Sequence, residues 1–314
     1  MENSITEQAA PIPVLSYPAI IGAVLLCFIF GANTVAIKIS LSGLGAFTNG
    51  GIRFGISGLI ILIWAIVTQQ PVKVPKGHLH HLLIISIIFF VQLTCFYQGL
   101  SRTSASRGTL LVNMQPFFVL FLAHFFIPGD RINARKLAGI ILAFIGIAFV
   151  FLTKADTTSD IRIGDLILLS AAGVWACNGV YTKRLLKNLE PFQVVLYQTL
   201  LSTPIFFAAA FLSGETMFIR LDSEIILALL YQCLITTSFG FVFWNMLLKK
   251  YGAVSIHSFI FIMPIAGVLM GGLVLKEPIS VNIIAALALI VTGILVVNSK
   301  PRKELAVVHP GRNL

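Results

Sequence analysis

Phe30-Gly31-Ala32-Asn33-Thr34-Val35, with Lys38 just behind it, returns later in the chain as Trp175-Ala176-Cys177-Asn178-Gly179-Val180, with Lys183 behind that. Asn, Val and Lys recur at one constant spacing, 145 residues, in a chain of 314. The echo extends to other features. Pro116 and Pro264 stand 148 residues apart, and the acidic turns Asp130-Arg131-Ile132 and Glu277-Pro278-Ile279 are each followed by a glycine sixteen residues past the acid, Gly146 and Gly293. A spacing of nearly half the chain marks a duplicated unit, a construction common among proteins that work across membranes.

Composition supplies the solvent. The chain is 57% hydrophobic and only 11% charged, with a mean hydropathy of +0.95, whereas an ordinary globular domain is about 25% charged. Apolar runs long enough to cross a bilayer, about 20 residues each, follow one another from Tyr17 to Asn298. Divided at charges, prolines and glycines, they predict helices near 18–38, 45–68, 79–100, 104–127 and 133–153, and again near 163–185, 191–212, 223–248, 252–275 and 280–298. Five helices is an odd number, so the second set must enter from the opposite side. The expected fold is an all-α membrane protein of ten transmembrane helices arranged as two inverted five-helix repeats, 18–153 and 163–298, between tails at 1–17 and 299–314.

An even number of crossings puts both tails on one side. With the N-terminus inside, the inner connections and the C-terminal tail hold 14 Lys and Arg and the outer connections 7, leaving Arg53 within a helix. The positive-inside rule then makes both termini cytoplasmic, in a bacterial inner membrane. The net charge of +10 lies in these short connections, so it reads as a topology signal and not as a nucleic-acid surface. Residues 1–16 carry two glutamates, no Lys or Arg and no apolar core of signal-peptide length, and no cleaved signal is expected. Cys27, Cys95, Cys177 and Cys233 all fall in apolar runs, where a thiol is a small hydrophobe, so neither a disulfide nor a metal site is expected.

The Phe-Gly-Ala-Asn and Trp-Ala-Cys-Asn stretches, Arg53-Phe54, the midhelix prolines and Glu277 ahead of a glycine-containing last helix together resemble the drug/metabolite transporter superfamily, in its EamA-type branch. The resemblance covers residues 18–298 and implies ten helices around a central cavity, with the fifth and tenth at the periphery and a transport path between the halves. It implies export but names no substrate, since relatives are associated with amino acids, amines, nucleosides, sugar phosphates and drugs; the expected cargo is a small metabolite such as an amino acid or a related amphipathic compound. One departure stands out: the position matching Arg53 in the second repeat is Gln198, so no role that needs a matched pair of arginines carries over.

Several residues in the apolar runs invite chemistry. Arg53 lies about 12 Å along its helix at roughly 1.5 Å per residue. A charge near midbilayer costs at least about 2.5–3.5 kcal/mol, so it needs a partner. It could hold a substrate carboxylate or phosphate with its planar fork, or form a structural salt bridge, for which Glu277 is the candidate. Asn33 and Asn178 at matched positions offer donors and acceptors to a ligand, or simply join helices. Tyr97, Gln98, Trp175 and Asn245 are polar-tipped or amide side chains that suit an amphipathic substrate, although Tyr97 lies close enough to a helix end to anchor at the interface instead. Pro116 and Pro264 would kink their helices, as hinges or as static packing. His124 and His257, near inner helix ends, could carry a proton, and either could equally be a plain hydrogen-bonding group. His78, His80 and His81 sit in a basic connection without the Cys or carboxylates a metal centre would add.

No acid outside the two tails falls at midhelix, so an acidic ion relay is not visible, and no phosphate-binding loop of the G-x-x-x-x-G-K-[ST] kind occurs. The expectation is a secondary transporter or facilitator working by alternating access, with substrate held near Asn33, Asn178, Tyr97, Gln98, Trp175, Asn245 and Arg53. It needs a small-molecule substrate and membrane lipids but no cofactor, and it is not an enzyme. The alternative is a membrane enzyme or lipid-handling protein using the cavity, which should show convergent acids, histidines or a nucleophile at one depth. The chain shows no such set.

Overall fold

The computed structural model describes residues 16–75, 77–126, 134–151, 159–251, 256 and 259–298. Every regular element among them is helical: α1 Tyr17–Leu41, α2 Ala46–Val67, α3 Leu79–Arg102, α4 Ala105–Val112, α5 Gln115–Phe126, α6 Ala134–Phe151, α7 Ser159–Leu185 and α8 Pro191–Ser213, then α9 Ser223–Tyr251, α10 Ile262–Val274 and α11 Val281–Asn298. Seven of these, α1, α2, α3, α6, α7, α8 and α9, are long and apolar enough to cross a membrane, and α10 and α11 are shorter apolar helices. In hydrocarbon each backbone group must find its partner within the segment, and the helix does that. Large apolar side chains cover the outside, with Phe211, Leu212 and Leu273 each more than three-quarters exposed. Lipid can cover such a surface and water cannot.

The helix expected over 104–127 is two helices. α4 stops at Val112, Asn113 and Met114 form a turn, and α5 restarts at Gln115. Pro116 has no N–H to give Val112, so the continuous ladder would lose a bond there and meet the ring as well. The Asn113 side chain donates to the Thr109 carbonyl at 2.7 Å, occupying an acceptor at the broken end. Pro116 thus becomes the second residue of α5, where a missing N–H costs nothing. Pro264 is likewise the third residue of α10, behind a turn over 259–261. Neither proline kinks the middle of a helix; each sits in the first turn after a break.

The two halves interleave. α3 packs on α7 and α1 on α9, α1 on α10 and α5 on α7, α3 on α8 and α2 on α9. In each of these couples the second contact repeats the first with the halves exchanged. α2 on α8, α4 on α10 and α6 on α11 join equivalent helices directly. Small residues permit the closest approaches: a Cβ on Gly139 would stand 2.7 Å from the Gly293 carbonyl, and one on Gly293 2.6 Å from that of Gly139. Between α3 and α7, a Cβ on Gly99 would likewise stand 2.9 Å from the Gly164 oxygen, and one on Gly164 2.9 Å from that of Gly99. Such glycines let membrane helices gain packing where no hydrophobic driving force separates helix from lipid.

At one end of the bundle the connection between α8 and α9 ties back to the first half. Gly45 N–H donates to Met217 O at 3.2 Å and Ile219 N–H to Gly43 O at 2.9 Å. Glu215 receives the Phe47 and Thr48 amides at 3.1 and 2.6 Å and the Thr48 hydroxyl at 2.8 Å. A carboxylate on the open donors of an N-terminus also meets the positive end of the helix dipole.

Candidate functional site

Arg53, eight residues into α2, is 1% exposed. Its Nε donates to the Thr237 hydroxyl at 2.8 Å and its Nη1 to the Tyr97 hydroxyl at 3.1 Å. Its guanidinium carbon stands 5.0 Å from the Phe54 ring centre and 6.0 Å from that of Phe241. Three helices therefore converge on it. Thr237 arrives on an unusual stretch, because Tyr231–Phe241 within α9 is a π-helix of 11 residues, a wider turn that recurs at functional sites. The stretch is stitched to α2: the Ser57 hydroxyl donates to the Cys233 carbonyl at 3.1 Å, and that of Ser238 to the same oxygen at 2.7 Å.

Glu277, the acid considered as a partner for Arg53, is engaged elsewhere. It accepts the Ala105 amide at 2.6 Å, the Ser106 amide at 2.9 Å and the Ser106 hydroxyl at 2.6 Å. The start of α4 offers it three donors and a helix dipole. Among the described residues Arg53 has no carboxylate partner, and its Nη2 has no hydrogen bond.

The matched asparagines are both buried and both incompletely bonded. Asn33 Oδ1 and Asn178 Nδ2 have no partner among the described residues. Asn178 Oδ1 accepts from Thr182 at 3.2 Å and from Gln198 Nε2 at 3.4 Å. Gln198, the counterpart of Arg53, is therefore consumed by an internal amide. Trp175 lies edge-on to Phe96, ring centres 6.0 Å apart, beside Tyr97. Phe30, one turn before Asn33 on α1, packs on Phe241 at 5.9 Å and on Trp244 at 5.8 Å. Residues three apart share a helix face, so Asn33 lies on the side of α1 that Phe30 occupies.

Two further expected residues bond within their own helices. The Gln98 side chain accepts from Arg102 at 3.0 Å, one turn along its own helix, and Asn245 donates to the Phe241 carbonyl of its own helix at 2.8 Å. His257, and the side chain of His124, lie outside the described residues. His81 is hydrogen-bonded to the Tyr181 hydroxyl at 2.6 Å, and no group of three metal-type side chains occurs among the described residues.

The sequence reading missed a second buried arginine. Arg107 of α4 forms an ion pair with Asp165 of α7, the two side chains 8% and 0% exposed. Arg107 Nη1 also donates to the Val150 carbonyl at 2.7 Å, and the Thr103 hydroxyl to Asp165 at 2.9 Å. Each stands near the start of its helix, where a charge is unremarkable in sequence. A signal existed: Asp165 is followed directly by the apolar run Leu166-Ile167-Leu168-Leu169, so the helix already carries it inward. Lys38, part of the repeated pattern, donates to the carbonyls of Leu100, Ser101 and Thr103 at 2.7, 3.2 and 2.6 Å, capping the end of α3.

A cavity of about 460 Å³ opens at the other end of the bundle between α1, α8 and α9, lined by Pro18, Phe192, Phe243, Leu247 and Tyr251 beside the ion pair of Lys249 with Glu190. Arg53, Asn33 and Asn178 do not line it. Arg53, Tyr97, Asn33 and Asn178 are all buried.

A duplicated helical bundle with a lipid-facing exterior and polar groups enclosed between its halves defines a multi-pass membrane protein of the transporter class. The chain belongs to the EamA-like transporter family, which matches it twice, over residues 17–152 and 162–299. A protein named probable amino-acid metabolite efflux pump, from Escherichia coli (strain K12), is 26% identical over 87% of this chain and 92% of its own length. One of the same name from Salmonella typhimurium is 27% identical, with the same coverage. A protein of Bacillus subtilis named as an uncharacterized transporter is 22% identical over 87% of this chain and 94% of its own. Among solved structures, a crystal structure 17% identical in sequence superposes with a TM-score of 0.67 over 87% of this chain and 94% of its own, and shares the fold.

Proposed function

We propose that this protein is a secondary transporter or facilitator that exports a small metabolite, an amino acid or a related amphipathic compound, by alternating access. The observation that carries the reading is the pair of matched amides: Asn33 lacks a partner for its acceptor and Asn178 for its donor, both buried between the halves. Polar groups left unsatisfied in a dry interior cost about 1–3 kcal/mol each, and a substrate with one donor and one acceptor would satisfy both. The names of the efflux-pump relatives supply the substrate class and the direction. The reciprocal contacts between halves support ten helices in two inverted repeats, 18–153 and 163–298. Such repeats rock about a midplane site, with Pro116 and Pro264 at the breaks serving as hinges and His124 and His257 as proton carriers. The charge distribution supports an inner-membrane protein with both termini cytoplasmic. Relatives named as transporters and pumps favour transport over catalysis.

The test is uptake of a pooled panel of labelled amino acids, amines, nucleosides and sugar phosphates into proteoliposomes, with and without a pH gradient. Saturable, gradient-dependent uptake of amino acids is expected for a proton-coupled carrier, and gradient-independent exchange for a facilitator. No saturable uptake of any compound defeats the proposal, and unchanged kinetics in Asn33→Ala and Asn178→Ala defeats the proposed site.

A further inference from the structure

We infer that Arg53 is a carboxylate subsite and that the transported molecule carries a single negative charge on a planar head with an apolar body; this rests on the transporter reading above. A guanidinium in a membrane interior carries a full charge and five N–H donors. Around Arg53, two hydroxyls accept from Nε and Nη1 and two aromatic faces lie at 5.0 and 6.0 Å. These contacts orient the cation and leave its charge unneutralised. The other buried arginine, Arg107, has its carboxylate in Asp165. Arg53 has none among the described residues, and its Nη2 remains open.

The surroundings choose among anions. The fork of an arginine matches carboxylate and phosphate alike, but one cation balances one negative charge. A phosphate group carrying about −1.5 to −2 would bury an excess, since no second cation accompanies Arg53 in its contacts. The walls are Phe54 and Phe241, with Phe96 and Trp175 beyond Tyr97, and they offer an apolar body an apolar place. Thr237 and Tyr97 act as positioning residues: they hold Nε and Nη1, and thereby direct Nη2 to the ligand. Thr237 is delivered by the π-helical stretch of α9.

The experiment compares leucine, leucinamide, acetate, chloride and inorganic phosphate on the full-length protein, by thermal unfolding in detergent and by counterflow in proteoliposomes. Leucine is expected to stabilise and be exchanged, and leucinamide to do neither. Arg53→Lys, which keeps the charge and loses the fork, should raise the KM for leucine about tenfold or more with little change in maximal rate. Arg53→Gln should abolish the preference for acid over amide. If Arg53→Gln does not fold, Thr237→Val serves, with a raised KM expected for carboxylates alone. Equal handling of leucine and leucinamide, or a preference unchanged in these variants, overturns the subsite. Full stabilisation by chloride or phosphate with none by leucine or acetate makes it an inorganic-anion site and overturns the assignment. Stabilisation by leucine that Arg53 substitution abolishes, without transport of any compound, leaves the subsite standing while the transport reading fails.

Discussion

Among the described residues two arginines are buried, and they are treated in opposite ways. Arg107 has a carboxylate, a backbone carbonyl and a neighbouring threonine that bonds the same acid. Arg53 has two hydroxyls and two aromatic rings, and no acid among the described residues. Arg107 joins α4 to α7 across the two halves with its charge neutralised in place. Arg53 joins α2, α3 and α9 with its charge left over. The difference teaches that burial of a charge has two meanings in a membrane protein, closure of the architecture or reservation for a ligand, and that the partner list tells them apart.

The largest effect expected from this contrast is at Asp165. Asp165→Asn leaves Arg107 buried and unpaired, and should cost about 3–5 kcal/mol of stability, read as a loss of folded protein or a lower unfolding midpoint in detergent. Arg107→Met combined with Asp165→Leu should recover most of that loss, since a buried pair is often replaceable by apolar side chains. A loss below about 1 kcal/mol for Asp165→Asn, the range of an exposed pair, would erase the contrast.

A middle-sized effect belongs to the carboxylates that cap helix starts. Glu277→Ala and Glu215→Ala should each cost about 0.5–2 kcal/mol, the range of an N-cap, and the double variant should be additive because the two caps serve different helices. Strong coupling between them would mean that this end of the bundle closes as one unit. Asn178→Ala should change stability by roughly 0.6 kcal/mol, the value typical of interhelical hydrogen bonds in membranes, while lowering transport. The stability effect at Arg53 itself is expected to be as small as that at Asn178: Arg53→Gln should alter unfolding by about 0.5 kcal/mol or less, because the lost hydrogen bonds are offset by removal of a charge whose burial costs at least about 2.5–3.5 kcal/mol. A loss as large as that of Asp165→Asn would place both arginines in the same structural role.

Arg53, Asn33 and Asn178 could be found in the sequence because a charge or an amide inside an apolar run is conspicuous there. The engagement of Glu277 with α4 could not, because an acid after a helix is equally ready for an arginine or for open amides, and only the neighbouring helix start decides. The bonding of Gln98 and Asn245 was equally hidden. Each bonds within its own helix, an option available to any amide at that spacing. The break at Asn113 and Met114 was half visible, since Pro116 announces a disturbance without saying whether the chain bends or stops.

Hydropathy and the 145-residue echo were enough to establish a helical, multi-pass membrane protein of two related halves. Lipid leaves the backbone no alternative to the helix, and a duplication survives as spacing along the chain. Which charge is neutralised, and by what, is a different kind of fact. Arg107 meets Asp165 across 58 residues and Arg53 meets Thr237 across 184, and electrostatic pairing depends on distance in space, which the packing of one half against the other sets.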